Sequence, residues 1–185
     1  AGRPVARLTR LKAVARRTAR ELWMVGHNGG TAGGIVRGTL EAGFQRVAWD
    51  PGSGRSVSDL NALTVRPDGE VWIVGDEGTV LRVRKGEDTP VPVPVPTGAS
   101  ARELKVGEDL HAIAAGPGES LVIVGEHGVV LRSGDGGDTW HRVRVPTTDD
   151  LASLAFSGDV GWIVGDDGTI LESRDGGLAW ESVGG

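Results

Sequence analysis

The sequence predicts an all-β fold, a β-propeller built of four four-stranded blades, and three observations predict it. One phrase recurs four times: Leu22-Trp23-Met24-Val25-Gly26, Val71-Trp72-Ile73-Val74-Gly75, Leu121-Val122-Ile123-Val124-Gly125 and Gly161-Trp162-Ile163-Val164-Gly165. Its glycines stand 49, 50 and 40 residues apart, a period at which small sheets stack because none can bury its own face alone. The second observation is an apolar segment placed upstream of each phrase at nearly constant distance. The third is a glycine-rich Ser-x-Asp turn that follows the third strand in two of the four copies.

The upstream segments are Leu11-Lys12-Ala13-Val14, Leu60-Asn61-Ala62-Leu63, Leu110-His111-Ala112-Ile113 and Leu151-Ala152-Ser153-Leu154. Each leads a first strand. Asp59, Asp109 and Asp150 precede the leucine in three copies, as turn-closing residues do. The Val-Gly phrase is the second strand, and its continuous apolar run fits a strand covered on both faces. A tight hairpin follows in Gly75-Asp76-Glu77-Gly78, Gly125-Glu126-His127-Gly128 and Gly165-Asp166-Asp167-Gly168, with the second glycine at the left-handed position. The first copy lengthens this turn with Asn28-Gly29-Gly30-Thr31-Ala32-Gly33-Gly34. Third strands start at Ile35, Thr79, Val129 and Thr169. The fourth strand of copy one falls on Phe44 to Trp49. That of copy two is Val91-Pro92-Val93-Pro94-Val95-Pro96, where alternating prolines suit only an outer edge.

These units place the blades at about 10–50, 59–98, 109–147 and 150–183 of a single propeller domain over 1–185. Val5, Leu8, Leu11 and Val14 also trace a helical stripe, but the Leu-x-Ala-Val register shared with the other copies favours a strand. Residues 1–8 occupy the place of a closing outer strand. Four blades either close alone or form part of a larger propeller, including one assembled from two chains.

Composition bounds the chemistry. The chain has 185 residues, 31 glycines, no cysteine and no tyrosine. It therefore has no disulfide framework and no cysteine-based metal site. No apolar run approaches the roughly 20 residues of a membrane helix. The net charge of −5 is uneven. Residues 1–20 carry seven basic side chains and no acid, leaving 13 basic and 25 acidic ones in the remainder. The overall sign disfavours a nucleic-acid partner.

The most specific motif is Ser133-Gly134-Asp135-Gly136-Gly137-Asp138-Thr139-Trp140, repeated with one change as Ser173-Arg174-Asp175-Gly176-Gly177-Leu178-Ala179-Trp180. It resembles the Asp-box, or bacterial neuraminidase repeat, which forms the turn between third and fourth strands of a propeller blade. Copy two keeps only Thr89 of the box. Across residues 10–183 the phrasing looks most like the photosystem II assembly/stability factor family and its bacterial relatives. The resemblance implies a non-catalytic propeller that binds a protein partner, as the family's assembly factors bind a membrane-protein subunit.

The residues weigh against the alternatives. Sialidases also carry Asp-boxes, but their mechanism needs a tyrosine nucleophile, which this chain lacks. Other Asp-box glycosidases use two carboxylates. Asp76, Glu126 and Asp166 are candidates, yet they recur at one hairpin position, which favours a structural role. His27, His111, His127 and His141 show no ligand spacing, so no metal is expected. No cofactor is expected either; the Gly29–Gly34 run lacks the lysine and strand–helix setting of a phosphate loop. Two surface features remain: an acidic face with Asp76, Glu77, Glu126, Asp166 and Asp167, suited to a basic peptide or protein segment, and a basic patch with Arg16, Arg17, Arg20 and Arg66. The expectation is a non-catalytic protein-binding or assembly module, exported from a bacterium. The alternatives are a carbohydrate-binding or glycoside-active propeller, and a self-assembling propeller fragment.

Overall fold

The computed structural model describes residues 9–27, 33–50, 59–95 and 108–183. The fold is all-β, with four four-stranded antiparallel blades of a propeller. Blade one comprises β1 (Arg10–Arg16), β2 (Leu22–His27), β3 (Gly34–Thr39) and β4 (Gly43–Val47). Blade two comprises β5 (Leu60–Val65), β6 (Val71–Gly75), β7 (Thr79–Val83) and β8 (Val91–Pro92). Blade three comprises β9 (Leu110–Ala115), β10 (Leu121–Gly125), β11 (Val129–Ser133) and β12 (His141–Arg142). Blade four comprises β13 (Leu151–Ser157), β14 (Val160–Gly165), β15 (Ile170–Ser173) and β16 (Glu181–Ser182). Strand order in every blade follows chain order. The segment at 10–16 is a strand, so the helical stripe is not used. The closing strand expected over 1–8 and most of the enlarged turn, residues 28–32, lie outside the described residues.

The chain divides into two compact units, Ala1–Val93 and Pro94–Gly185. In the first, Trp23, Val25 and Ile35 of blade one pack with Leu60, Leu63, Ile73 and Leu81 of blade two. In the second, Val122, Val124 and Val130 of blade three pack with Leu151, Ile163 and Leu171 of blade four. These are the same positions of the repeat. Each blade thus has an outgoing face, built on the tryptophan or valine before the Val-Gly pair. Its opposite, incoming face is built on the leucine that opens the first strand. Burying both faces accounts for the unbroken apolar second strand, since β6 and β10 are buried at every residue.

The outer strands are short. Pro92 sits in β8, the last strand of its blade, and the pairing is continued by the Val93 N–H, which donates to the Val80 carbonyl at 2.9 Å. Alternation with proline keeps the donors on the inner side. Among the described residues no helix is long and apolar enough to cross a membrane.

The glycine of each phrase has a steric cause. A Cβ on Gly26, Gly75, Gly125 or Gly165 would lie 1.9, 2.3, 2.2 or 2.4 Å from the carbonyl oxygen of Arg10, Asp59, Asp109 or Asp150, respectively. The first strand bulges in all four blades next to its leucine, and the bulge brings that carbonyl against the second strand.

Candidate functional site

Three sets of polar residues emerge from this framework. The first is the pair of Ser-x-Asp turns. The Ser133 hydroxyl donates to Asp135 Oδ1 at 2.8 Å and accepts from the Gly137 N–H at 2.8 Å. Asp135 Oδ1 accepts from the Thr139 N–H at 2.9 Å, and Oδ2 from the Thr139 hydroxyl at 2.5 Å. Trp140 donates its indole N–H to the Gly137 carbonyl at 3.1 Å and is buried. The second copy repeats the serine and aspartate bonds. Its Asp175 Oδ1 accepts from the N–H groups of Leu178 and Ala179 at 2.9 and 3.0 Å. Gly136, Gly137, Gly176 and Gly177 all have positive φ, which the turn requires of them. The hydroxyl of Thr139, then the backbone donors, hold the Asp135 carboxyl far below the ordinary value. Asp175 is lowered first by the Ala179 N–H. Both carboxylates are therefore spent on their own turns, as a short acid in a glycine-rich turn is expected to be.

The second set is the acidic hairpins. Asp76 Oδ2 accepts from the Asp59 N–H at 3.1 Å, while the Asp76 N–H donates to the Asp59 carbonyl at 3.0 Å. Glu126 and Asp109 form the same reciprocal pair, at 3.1 and 3.0 Å. In blade four the Asp166 N–H donates to the Asp150 carbonyl at 2.9 Å. Asp76 and Glu126 thus close the mouth of their own blades, which explains why an acid recurs there. Glu77, His127 and Asp167 occupy the tips at φ of 54°, 53° and 52° and are exposed. Both central residues of each tip are left-handed, as a two-residue hairpin turn demands; the sequence pattern singled out only the glycine.

Within the second unit these tips adjoin the start of blade four. The His127 N–H donates to Asp150 Oδ1 at 2.8 Å, and the Gly128 N–H to the Asp149 carbonyl at 2.9 Å. The hydroxyls of Thr147 and Thr169 donate to Asp149 Oδ2 at 2.7 and 2.6 Å and lower its carboxyl. The result is a rim carrying Asp149, Asp150, Asp166 and Asp167, of which the last two are the exposed members.

The third set is the basic patch, and here the structure corrects the expectation. Arg17 and Arg66 are largely buried rather than displayed. Arg17 stacks over Trp23 at 5.5 Å and donates to three carbonyls of blade two, those of Gly69, Glu87 and Arg84, at 2.9, 2.7 and 2.7 Å. Arg66 pairs with Asp68 at 3.4 Å. Only Arg16 and Arg20 of the patch stay exposed, with Arg20 beside Glu41. Arg17 acts as a clamp on a turn that has lost its internal aspartate. The missing Ser-x-Asp box in blade two is the signal that could have pointed to it.

Other blade-to-blade links follow the same logic. Arg37, over Trp23, pairs with Asp88 of blade two. The register-equivalent Arg132 donates to the Gly176 carbonyl of blade four at 2.9 Å. At the bulges, Lys12 reaches Asn61 and Asp59 of blade two, and His111 Nδ1 lies 3.2 Å from the Leu151 carbonyl of blade four. His27 Nδ1 meets Asp59 Oδ1 at 2.6 Å. Burial pushes the Asp59 carboxyl up, but Lys12 and His27 outweigh it and leave the group below its ordinary value. Among the described residues no cluster of three His, Asp or Glu side chains is placed to hold a metal.

Residues 100–184 match the family model of the photosynthesis system II assembly factor YCF48. The chain is a propeller similar to those assembly factors. YCF48 from Cyanidioschyzon merolae aligns at 26% identity and a TM-score of 0.57, over 74% of this chain and 43% of that one. A YCF48 solved with a D1 peptide aligns at 14% identity and a TM-score of 0.57, over 97% of this chain and 82% of that one. A catalytically inactive virginiamycin B lyase from Staphylococcus aureus aligns at 17% identity and a TM-score of 0.71, over 93% of this chain and 54% of that one. The last two likenesses establish the fold alone. The chain spans about half the length of the lyase and somewhat less than half of the Cyanidioschyzon merolae protein. No curated protein matches it.

Proposed function

We propose that this chain is a non-catalytic propeller module that binds a protein or peptide segment. The observation that carries the reading is the assembly-factor family match over residues 100–184. Of the glycosidase candidates Asp76, Glu126 and Asp166, the last two fall in that part of the chain. Glu126, Asp135, Asp149 and Asp175 each accept hydrogen bonds from their own unit and serve the framework. A related propeller solved with a D1 peptide supports the same class of partner.

The docking surface proposed for the second unit is the rim ending in Asp166 and Asp167, and the partner is a basic extended segment. Exposed acids on a rigid rim raise the local concentration of a cationic partner and fix its register more than they add raw affinity. A labelled lysine- and arginine-containing peptide, titrated by fluorescence anisotropy at low and moderate salt, tests it. Asp166→Asn with Asp167→Asn should weaken capture about tenfold and flatten its salt dependence. Glu77→Gln, made separately, reports on the corresponding tip of the first unit. Unchanged binding in the double variant would remove the rim from the proposal. Binding of glycans in place of peptides would replace the reading with the carbohydrate one.

A further inference from the structure

We propose that the outer edge of blade one takes up an extended segment of a partner protein as an added strand, a docking surface of the first unit independent of the acidic rim in the second. Strand β4 is the last strand of its sheet. Such a strand presents a row of backbone donors and acceptors that another extended chain can match. Neighbouring blades pack on the faces of a sheet and not along this edge, so the edge does not depend on which blade precedes or follows.

The four outer strands are not alike. β12 and β16 have two residues each. β8 has two as well, and its chain continues as Val93-Pro94. The Val93 N–H points inward to the Val80 carbonyl, so Pro92 and Pro94 stand where donors would point outward, and proline has none. β4 instead runs for five residues, Gly43–Val47, without proline and in unbroken register with β3, from Thr39↔Gly43 to Ile35↔Val47. Within the first unit one edge is sealed and the other is left open.

The surroundings of β4 say what kind of segment fits. Leu40, in the turn that leads into β4, is 87% exposed, and Phe44 on β4 is half-buried. Both line a cavity of about 570 Å³ together with Glu21, Arg37, Glu41 and Gln45. In strand addition the main chain supplies affinity and pockets for alternate side chains supply specificity, and this cavity holds a large apolar side chain against Leu40 and Phe44. Blade one, residues 10–50, has seven basic and three acidic side chains, net +4. That charge favours a segment bearing carboxylates and opposes edge-to-edge pairing with blade one of a second copy. The occupant is therefore an extended, proline-free segment of a partner, apolar at its centre and net negative.

The test uses the 185-residue chain, labelled with nitrogen-15, and the blocked peptide acetyl-Glu-Val-Thr-Leu-Thr-Val-Glu-amide. Binding should slow amide exchange at alternate residues of Gly43–Val47 and leave β8, β12 and β16 unchanged. Affinity should fall with added salt. Methylating alternate backbone nitrogens of the peptide should abolish binding in one phase and spare it in the other, because one side of an added strand faces β4. Leu40→Ser, at an exposed turn position, should weaken binding about tenfold with an unchanged β circular-dichroism spectrum. Asp166→Asn with Asp167→Asn should leave this binding unaltered, which separates the edge from the rim. No binding, binding without slowed exchange in β4, or equal response to both methylation phases would overturn the proposal. Protection of β4 in the peptide-free chain that disappears on dilution would give the edge to a second copy and overturn it as well.

Discussion

Gly125→Ala isolates the steric rule behind the repeated Val-Gly pair. Gly125 has φ −168° and ψ −156°, extended backbone that alanine adopts without strain. The cost is therefore contact alone. A Cβ there would lie 2.2 Å from the Asp109 carbonyl oxygen, more than 1 Å inside ordinary van der Waals separation. The oxygen belongs to backbone and cannot swing aside. Moving it disturbs the reciprocal Asp109–Glu126 pair, two hydrogen bonds of 3.0 and 3.1 Å. Overpacking of this kind costs about 1–3 kcal/mol, and the two strained hydrogen bonds add about 1 kcal/mol. Reduced freedom of the unfolded chain returns roughly 0.5 kcal/mol. The expected loss is about 2–4 kcal/mol, read from urea unfolding followed by tryptophan fluorescence. Gly118→Ala is the control: φ is +62° and nothing lies within 4 Å of the added Cβ, so only the left-handed backbone penalty of about 1 kcal/mol applies. A smaller loss at Gly125 than at Gly118 would refute the steric account and return these glycines to mere turn chemistry.

Two further outcomes follow from the Ser-x-Asp turns and their carboxylates. Thr139→Ala should lower the urea midpoint and raise the Asp135 pKa towards the ordinary aspartate value, measured by carboxyl NMR titration, because the Thr139 hydroxyl is its largest stabiliser; Ala179→Thr should shift the midpoint and the Asp175 pKa the other way, both by less than Gly125→Ala. Asp59, Asp135, Asp149 and Asp175 are all depressed in the folded protein, so their stabilisation is complete above the unfolded value of about 3.9 and lost as the pH falls through the lower folded values. The urea midpoint should therefore be level through neutral pH and drop below about pH 4, and a midpoint that holds down to pH 2.5 would contradict the shifts.

The fold was legible because a repeat reports the same constraint several times. The leucine, the Val-Gly pair and the hairpin glycine each mark a place where only one kind of side chain fits, and four copies separate that signal from accident. The serine, aspartate and tryptophan of the third-to-fourth turn were equally legible, since their bonds are local in sequence. What was not legible is whatever passes between blades. Arg17 reads as one more cation in a basic stretch, yet its guanidinium serves carbonyls 52, 67 and 70 residues away. Lys12, Asn61 and His111 are unlike in type although they share a bulge, so no alignment by residue type unites them. Their common property is the place the bulge gives them, directly after the leucine of the first strand.

The acids at the hairpins show why a structural role and a recognition role cannot be separated by deleting whichever acid recurs. Asp76, Glu126 and Asp166 were the natural choices for probing an acidic face because they occupy one repeat position. The carboxylates of Asp76 and Glu126 also accept the N–H of the residue that opens their blade. Removing either carboxylate would leave that donor unpaired, at a cost of about 1–3 kcal/mol where it is buried, and any loss of partner binding would be confounded with a loosened blade. A carboxylate that accepts a backbone hydrogen bond nevertheless keeps its charge. It still contributes to the field felt by an approaching cation. The framework acids thus set a constant background, and the exposed Asp166 and Asp167 are the positions at which charge can be varied with the blade intact. Asparagine suits the left-handed tip at residue 167 as well as aspartate does, so binding measured there reads charge and not turn strain.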